Sequence, residues 1–166
     1  MKKVGIFYGS DGGNTQSACR KIMEALGEEN AVLQDIAKSS KEDVLKFDNL
    51  ILASSTYGSG ELQDDWDRIL DQFSPSDFGS KVIALVGMGD QDTYSDTYCD
   101  CLFYLYEKTK EATIIGQTKA DGYDFGDSKA IINGEFIGLA LDEDNQDDLT
   151  DSRIREWVEN IKPQFQ

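Results

Sequence analysis

Five apolar runs, each short enough for a strand and each separated by a stretch with helical spacing, leave few folds open to this chain. The runs are Lys3–Tyr8, Ala31–Gln34, Leu50–Ser54, Val82–Gly87 and an interrupted fifth, which starts at Thr113–Gly116 and resumes at Gly138–Leu141. Helices are predicted over Asn14–Leu26, Lys41–Lys46, Asp64–Phe73, Asp96–Lys108 and Asp151–Lys162. The first turns Ala18, Ile22, Ala25 and Leu26 to one face. The last places Ile154, Trp157, Val158 and Ile161 on one stripe, with Thr150 or Asp151 as its cap. Strands apolar along their whole length are buried on both faces, so the fold class is α/β, a doubly wound five-stranded parallel sheet. Right-handed crossovers favour the order 2-1-3-4-5, with a ligand crevice at the carboxyl ends of strands 1 and 3. At 166 residues the chain suits a single domain, residues 1–166, with a sizeable core.

The loop after the first strand, Gly9-Ser10-Asp11-Gly12-Gly13-Asn14-Thr15, has the make-up of an anion site. The first N–H groups of a helix have no internal partner, and the helix dipole adds partial positive charge there. Gly12 and Gly13 allow close backbone approach, while Ser10, Asn14 and Thr15 can add side-chain donors. With no Lys or Arg in the loop, a phosphate would be held by dipoles. Two common phosphate motifs do not fit. A Walker loop needs Gly-Lys-Ser/Thr where Gly13-Asn14-Thr15 stands, and glycines at 9, 12 and 13 miss the dinucleotide spacing. The alternative is a strain-relieving turn capped by Asn14 or Thr15.

Two further loops share that character. Strand 3 runs into Ser55-Thr56-Tyr57-Gly58-Ser59-Gly60-Glu61, and strand 4 into Gly87-Met88-Gly89-Asp90-Gln91-Asp92-Thr93-Tyr94. Three small-residue loops on one sheet edge, two of them offering a tyrosine, suit a flat ring beside a phosphate. Trp66 reads instead as a core residue on a helix face.

Composition excludes several classes. A net charge of −16 argues against nucleic acid, whose phosphates need clustered Lys and Arg, and suits docking to proteins with basic faces. There is no histidine, which removes the commonest general base and transition-metal ligand. No apolar run approaches the ~20 residues of a membrane helix, and no secretory h-region precedes the first strand. Three cysteines make no disulfide framework, which points to a reducing cytoplasm. Cys99 and Cys101 lack partners for a four-ligand metal site. The run Asp142–Asp148 lacks the glycine and glutamate of a calcium loop.

With these loops in order, the chain resembles the flavodoxins of the long-chain type, from first strand to last helix. Ser10–Thr15 is similar to that family's phosphate loop, with Gly12 where a threonine or serine is usual. Gly60-Glu61-Leu62-Gln63-Asp64-Asp65-Trp66 resembles its second loop, and Gly89-Asp90-Gln91 with Tyr94 its third. Asp142-Glu143-Asp144-Asn145-Gln146 also fits, and 117–137 corresponds to the long-chain insertion that splits the fifth strand. The resemblance implies non-covalent FMN and an electron carrier rather than an enzyme. Ser10, Asp11, Gly12, Gly13, Asn14 and Thr15 would hold the phosphate. Tyr94 would stack on one face of the ring and Tyr57 cover the other, within Ser55–Gly60. Met88 lies in the third loop; backbone groups of Gly58, Ser59, Gly89 and Asp90 would meet the ring edge. Tyr98 and Cys99 would lie near its pyrimidine end, and Asp144 would reach the ribityl chain. The implied partners are redox proteins with basic docking faces, flavin or iron–sulfur reductases and their acceptors, meeting a monomer.

A low-potential carrier works between the semiquinone and hydroquinone of its flavin. Gly58 lacks Cβ, so the Gly58–Ser59 peptide can turn over and offer its carbonyl to flavin N5 in the one-electron state. Glu61, Asp64, Asp65, Asp90 and Asp92 would crowd negative charge around the anionic reduced flavin. Like charges ~10 Å apart interact by roughly 2 kcal/mol at an effective dielectric near 20, before salt screening. Two rivals are weighed. An FMN-dependent NAD(P)H:quinone-type reductase needs a nicotinamide site that no residue here advertises. A receiver-type signalling domain needs an aspartate after strand 3, where Ser54-Ser55-Thr56 stands.

Overall fold

The computed structural model describes residues 1–166. In chain order it contains β1 (Val4–Gly9), α1 (Asn14–Leu26), β2 (Ala31–Asp35), α2 (Lys41–Leu45), β3 (Asn49–Tyr57), β4 (Glu61–Leu62), α3 (Asp64–Leu70), β5 (Val82–Met88), α4 (Cys101–Thr109), β6 (Thr113–Ile115), β7 (Thr118–Lys119), β8 (Ile131–Ile132), β9 (Glu135–Phe136), β10 (Leu139–Leu141) and α5 (Thr150–Ile161). The main sheet runs β2-β1-β3-β5-β10, all parallel. That is the expected 2-1-3-4-5 order.

The fifth strand is split as the sequence suggests. β6 pairs with Val82–Ala84 and β10 with Val86–Met88, both parallel to β5, so the two pieces continue one line along the same edge. Residues 117–137 form a separate three-stranded antiparallel sheet, β7-β9-β8.

Side chains alternate along each strand between two apolar layers. Val82, Ala84, Val86 and Met88 of β5 join Ile6, Ile51 and the inner faces of α1 and α5. Ile83 and Leu85 join Phe7, Leu50 and Leu52 beneath α3 and α4. Both faces being covered is why the strands read as continuous apolar runs. In α5 the expected Ile154, Trp157, Val158 and Ile161 are all buried, but neither Thr150 nor Asp151 caps it. Thr150 is already helical and donates its hydroxyl to Glu143, while Asp151 pairs with Lys21 at 2.7 Å. In α1 the buried stripe is Thr15, Ala18, Cys19, Ile22 and Leu26; Ala25, expected inside, is exposed. The helix predicted over Asp96–Lys108 begins only at Cys101, because Ser95–Thr97 forms a separate 3₁₀ turn and Cys99 adopts φ 52°.

Strand register brings the loops to one edge. Gly9 lies opposite Ser54, Ser54 opposite Gly87, and Met88 opposite Leu141. The segments after β1, β3, β5 and β10 therefore leave the sheet at the same level.

Candidate functional site

Those four segments enclose a cleft of ≈ 280 Å³. The first contributes Ser10, Gly12, Asn14 and Thr15, the second Ser55, Thr56, Tyr57 and Gly58, the third Met88, Gly89, Asp90 and Tyr94. The segment after β10 adds Asp144, as expected, and Glu143. Sequence reasoning did not single out Glu143; its only signal was a place between two residues of the Asp142–Gln146 run.

The first loop is shaped by its own backbone. Gly13 stands at φ +91°, a conformation costly for any residue with a Cβ, and starts α1 without a side-chain cap. Asn14 and Thr15 are thus helical residues, not caps. Ser10 Oγ accepts the Gly13 N–H at 3.0 Å, closing the loop, and Ser17 N–H reaches Gly13 O at 3.0 Å. The first turn of α1 carries no acidic side chain, so the helix itself does not offset the partial positive charge at that end. Asp11 does not line the cleft. It accepts from Gln63 Nε2 at 3.1 Å and so ties the first loop to the second.

In the second loop, Ser55 Oγ and Thr56 Oγ1 are buried without a hydrogen-bond partner. Buried polar atoms are normally satisfied, so two orphaned hydroxyls on successive residues that both line the cleft mark a place for polar groups of a ligand. A turn follows, Gly60 N–H to Tyr57 O at 3.1 Å, with Gly58 at its exposed tip. Ser59 and Gly60 continue that turn outside the cleft. Burial, foremost, raises the Tyr57 hydroxyl above its ordinary pKa.

Tyr94 is the outlier among large side chains on this edge: 49% of it is exposed, at the rim. Tyr98 and Cys99, expected near the ligand, have no exposed surface and do not line the cleft. The Tyr98 ring stacks on Phe125 (5.2 Å between centroids) and meets Phe136 edge-on (6.1 Å), while Cys99 Sγ donates to Gly87 O at 3.5 Å. They back the third loop from behind. The insertion supplies much of that backing, through Asp124 N–H to Gln91 Oε1 (2.6 Å), Gly126 N–H to Ser95 O (2.9 Å) and Lys129 N–H to Asp100 Oδ1 (2.8 Å). Trp66, as expected, is core, 1% exposed with Nε1 donating to Ala53 O at 2.7 Å.

The carboxylates sort differently from the expectation. Asp90, Glu143 and Asp144 line the cleft; Glu61, Asp64, Asp65 and Asp92 do not. Asp65 is paired with Arg68 and accepts from Gln63 Nε2, so its charge is offset locally. At Asp90, burial acts to raise the pKa, but hydrogen bonds from the Thr93 N–H (2.9 Å), the Asn145 side chain (2.8 Å) and the Asp92 N–H (3.2 Å) outweigh it, and the carboxyl stays below its ordinary range. Asp144 goes the other way, raised by burial and then by Asp90, Asp142 and Glu143.

The family profile described as flavodoxin matches residues 6–157. The chain belongs to the flavodoxin family. It is 51% identical over 165 residues to a flavodoxin of Helicobacter pylori, covering 99% of each chain, and 42% identical over 166 residues to one of Nostoc sp., covering 99% of this chain and 98% of that one. Among solved structures, Fusobacterium nucleatum flavodoxin bound to flavin mononucleotide superposes with a TM-score of 0.95 at 36% identity, covering 100% of both chains. Flavodoxins are electron-transfer flavoproteins rather than enzymes. No helix of the chain is long and apolar enough to cross a membrane.

Proposed function

We propose that the chain is a long-chain flavodoxin, a single-domain, low-potential one-electron carrier that holds FMN non-covalently in the cleft. The observation that carries this is the pairing of an uncapped, cation-free helix start with two orphaned hydroxyls and an exposed tyrosine around one space. The FMN bound by the Fusobacterium relative, and the insertion that splits the fifth strand, support the same reading. Ser10 and Gly12–Thr15 would take the phosphate, with Asp11 tying their loop to the second, and Ser55 and Thr56 would meet polar groups of the cofactor. Tyr94 and Tyr57 would cover the ring faces, Gly58–Ser59, Gly89 and Asp90 meet its edge, and Asp144 the ribityl chain. Tyr98 and Cys99 act by holding Gly89 from behind.

Bound FMN supplies one-electron couples, of which we assign the semiquinone–hydroquinone couple to this carrier. The chain's part is to shape that couple. Gly58 stands at φ +51° at an exposed turn, and without a Cβ it lets the Gly58–Ser59 peptide turn over at low cost. The Gly58 carbonyl would then be free to accept a hydrogen bond from the ring edge of a bound cofactor. Asp90, Glu143 and Asp144 bring negative charge to the cleft, which disfavours an anionic reduced ring. Exposed Glu61, Asp64 and Asp92 extend that charge over the neighbouring surface and suit redox partners with basic faces. Three buried, unpaired cysteines suit a reducing compartment such as the cytoplasm.

Anaerobic reductive titration tests the reading. A blue neutral semiquinone should accumulate before full reduction. Direct passage to the two-electron form, with turnover of NAD(P)H and a quinone, would favour the reductase instead. Asp90→Asn should raise the lower midpoint potential by about 30 mV, the screened equivalent of one like charge at that range; an unchanged potential would remove Asp90 from the electrostatic account. Gly12→Thr should tighten FMN about tenfold by adding one donor to a charged group, and leave riboflavin binding unchanged. The position can take it, because Gly12 lies outside the left-handed region and a Cβ there meets nothing within 4 Å. Fluorescence titration with both flavins reads the difference.

A further inference from the structure

Asp142 follows directly on β10, has no exposed surface, and takes part in none of the protein's ion pairs. Its neighbours are instead five N–H donor groups. Oδ2 accepts from the Gln91 backbone N–H (2.9 Å) and Gln91 Nε2 (2.8 Å). Oδ1 accepts from the N–H groups of Asp144 (3.1 Å) and Asn145 (3.0 Å), and Asn145 Nδ2 reaches both oxygens, at 3.1 and 3.0 Å. Carboxylates accept and do not donate, so a shell made only of donors is built for the ionised group. A buried charge without such a shell would be prohibitively costly.

The donors come from two different walls of the cleft. Gln91 belongs to the third loop, between Asp90 and Tyr94; Asp144 and Asn145 belong to the segment after β10. Two more contacts extend the same hub. Asn145 Nδ2 also bonds Asp90 Oδ1 at 2.8 Å, and Gln91 Oε1 accepts from Asp124 N–H of the insertion at 2.6 Å.

We propose that Asp142 is a positioning residue for the cleft, one that locks the loop carrying Asp90 and Tyr94 to the segment carrying Glu143 and Asp144 and sets a negative charge behind them. The proposal rests on the FMN reading of the cleft. The lock acts on oxidised and reduced cofactor alike. The charge acts mainly against the reduced, anionic form, and so lowers the potential of the bound cofactor.

The full chain is tested with FMN alone, by fluorescence titration and anaerobic potentiometry. Asn145→Ala and Gln91→Met loosen the lock and keep the charge; each should weaken oxidised FMN about fivefold with the potential near that of the parent. Asp142→Asn turns an amide toward the Gln91 donors and removes the charge. It should weaken oxidised FMN about tenfold and raise the lower midpoint potential, because the reduced form loses less affinity. Parent affinity and potential in Asp142→Asn would overturn the proposal, and lost affinity without a raised potential would overturn its charge half. Should Asp142→Asn not fold, parent affinity in both remaining variants overturns the lock and a loss in both supports it. A parent chain that binds no FMN would overturn the cofactor reading, and this proposal with it.

Discussion

Trp66→Ala should lower the stability of the apoprotein by about 3–5 kcal/mol, seen as a fall in the urea midpoint. Trp66 is among the largest fully buried side chains and packs in the layer that contains Phe7, Leu52 and Leu62. It anchors the start of α3 beneath the ends of β1 and β3. Gln63 Oε1 accepts the N–H groups of Asp65 (3.0 Å) and Trp66 (3.3 Å), while the indole reaches Ala53 O two residues before Ser55. Truncation removes the ring volume and that hydrogen bond together. Trp66→Phe keeps much of the volume and should cost less, about 1–3 kcal/mol, part of it from the acceptor left behind at Ala53. An unchanged midpoint with lost FMN affinity would make Trp66 a ligand contact instead of a core residue.

Tyr94→Ala should have the opposite profile: about 30-fold weaker FMN binding, with apoprotein stability within about 0.5 kcal/mol of the parent. The ring is half exposed in the protein alone, so truncation leaves no internal cavity. Covering one face of a flat aromatic ligand is worth about 2 kcal/mol, which is that fold-change. Tyr94→Trp should keep most of the affinity, because the face is retained. Unaltered affinity in Tyr94→Ala would exclude the stacking role. Thermal melts of each variant with and without FMN separate the two effects, since a ligand stabilises the folded state only in proportion to its binding.

Much of this molecule was legible in its sequence because much of it is local. Strands buried on both faces must be apolar throughout, and helices over a sheet must carry one apolar stripe, so Val82–Met88 and Ile154–Ile161 announce themselves. Sheet order follows from alternation and handedness, and three glycine- and hydroxyl-rich loops after strands of a parallel sheet must meet at one edge. Those loops bring twelve of the expected residues to the cleft, the family resemblance adds Asp144, and helical periodicity keeps Trp66 out of it.

What tertiary structure alone decided are the partners of polar side chains distant in sequence. The expected acidic ring keeps Asp90 and gains Glu143, while Glu61, Asp64, Asp65 and Asp92 stay outside the cleft, although local composition treats these carboxylates alike. Tyr98 sits four residues from the exposed Tyr94 and is fully buried, because the insertion brings Phe125 and Phe136 against it from beyond α4. Asp142 and Gln91 are 51 residues apart and meet only when β10 lies beside β5. Periodicity reports which face of an element is buried; it carries no information about which donor a buried carboxylate will find there, and that pairing determines where charge is held at this site.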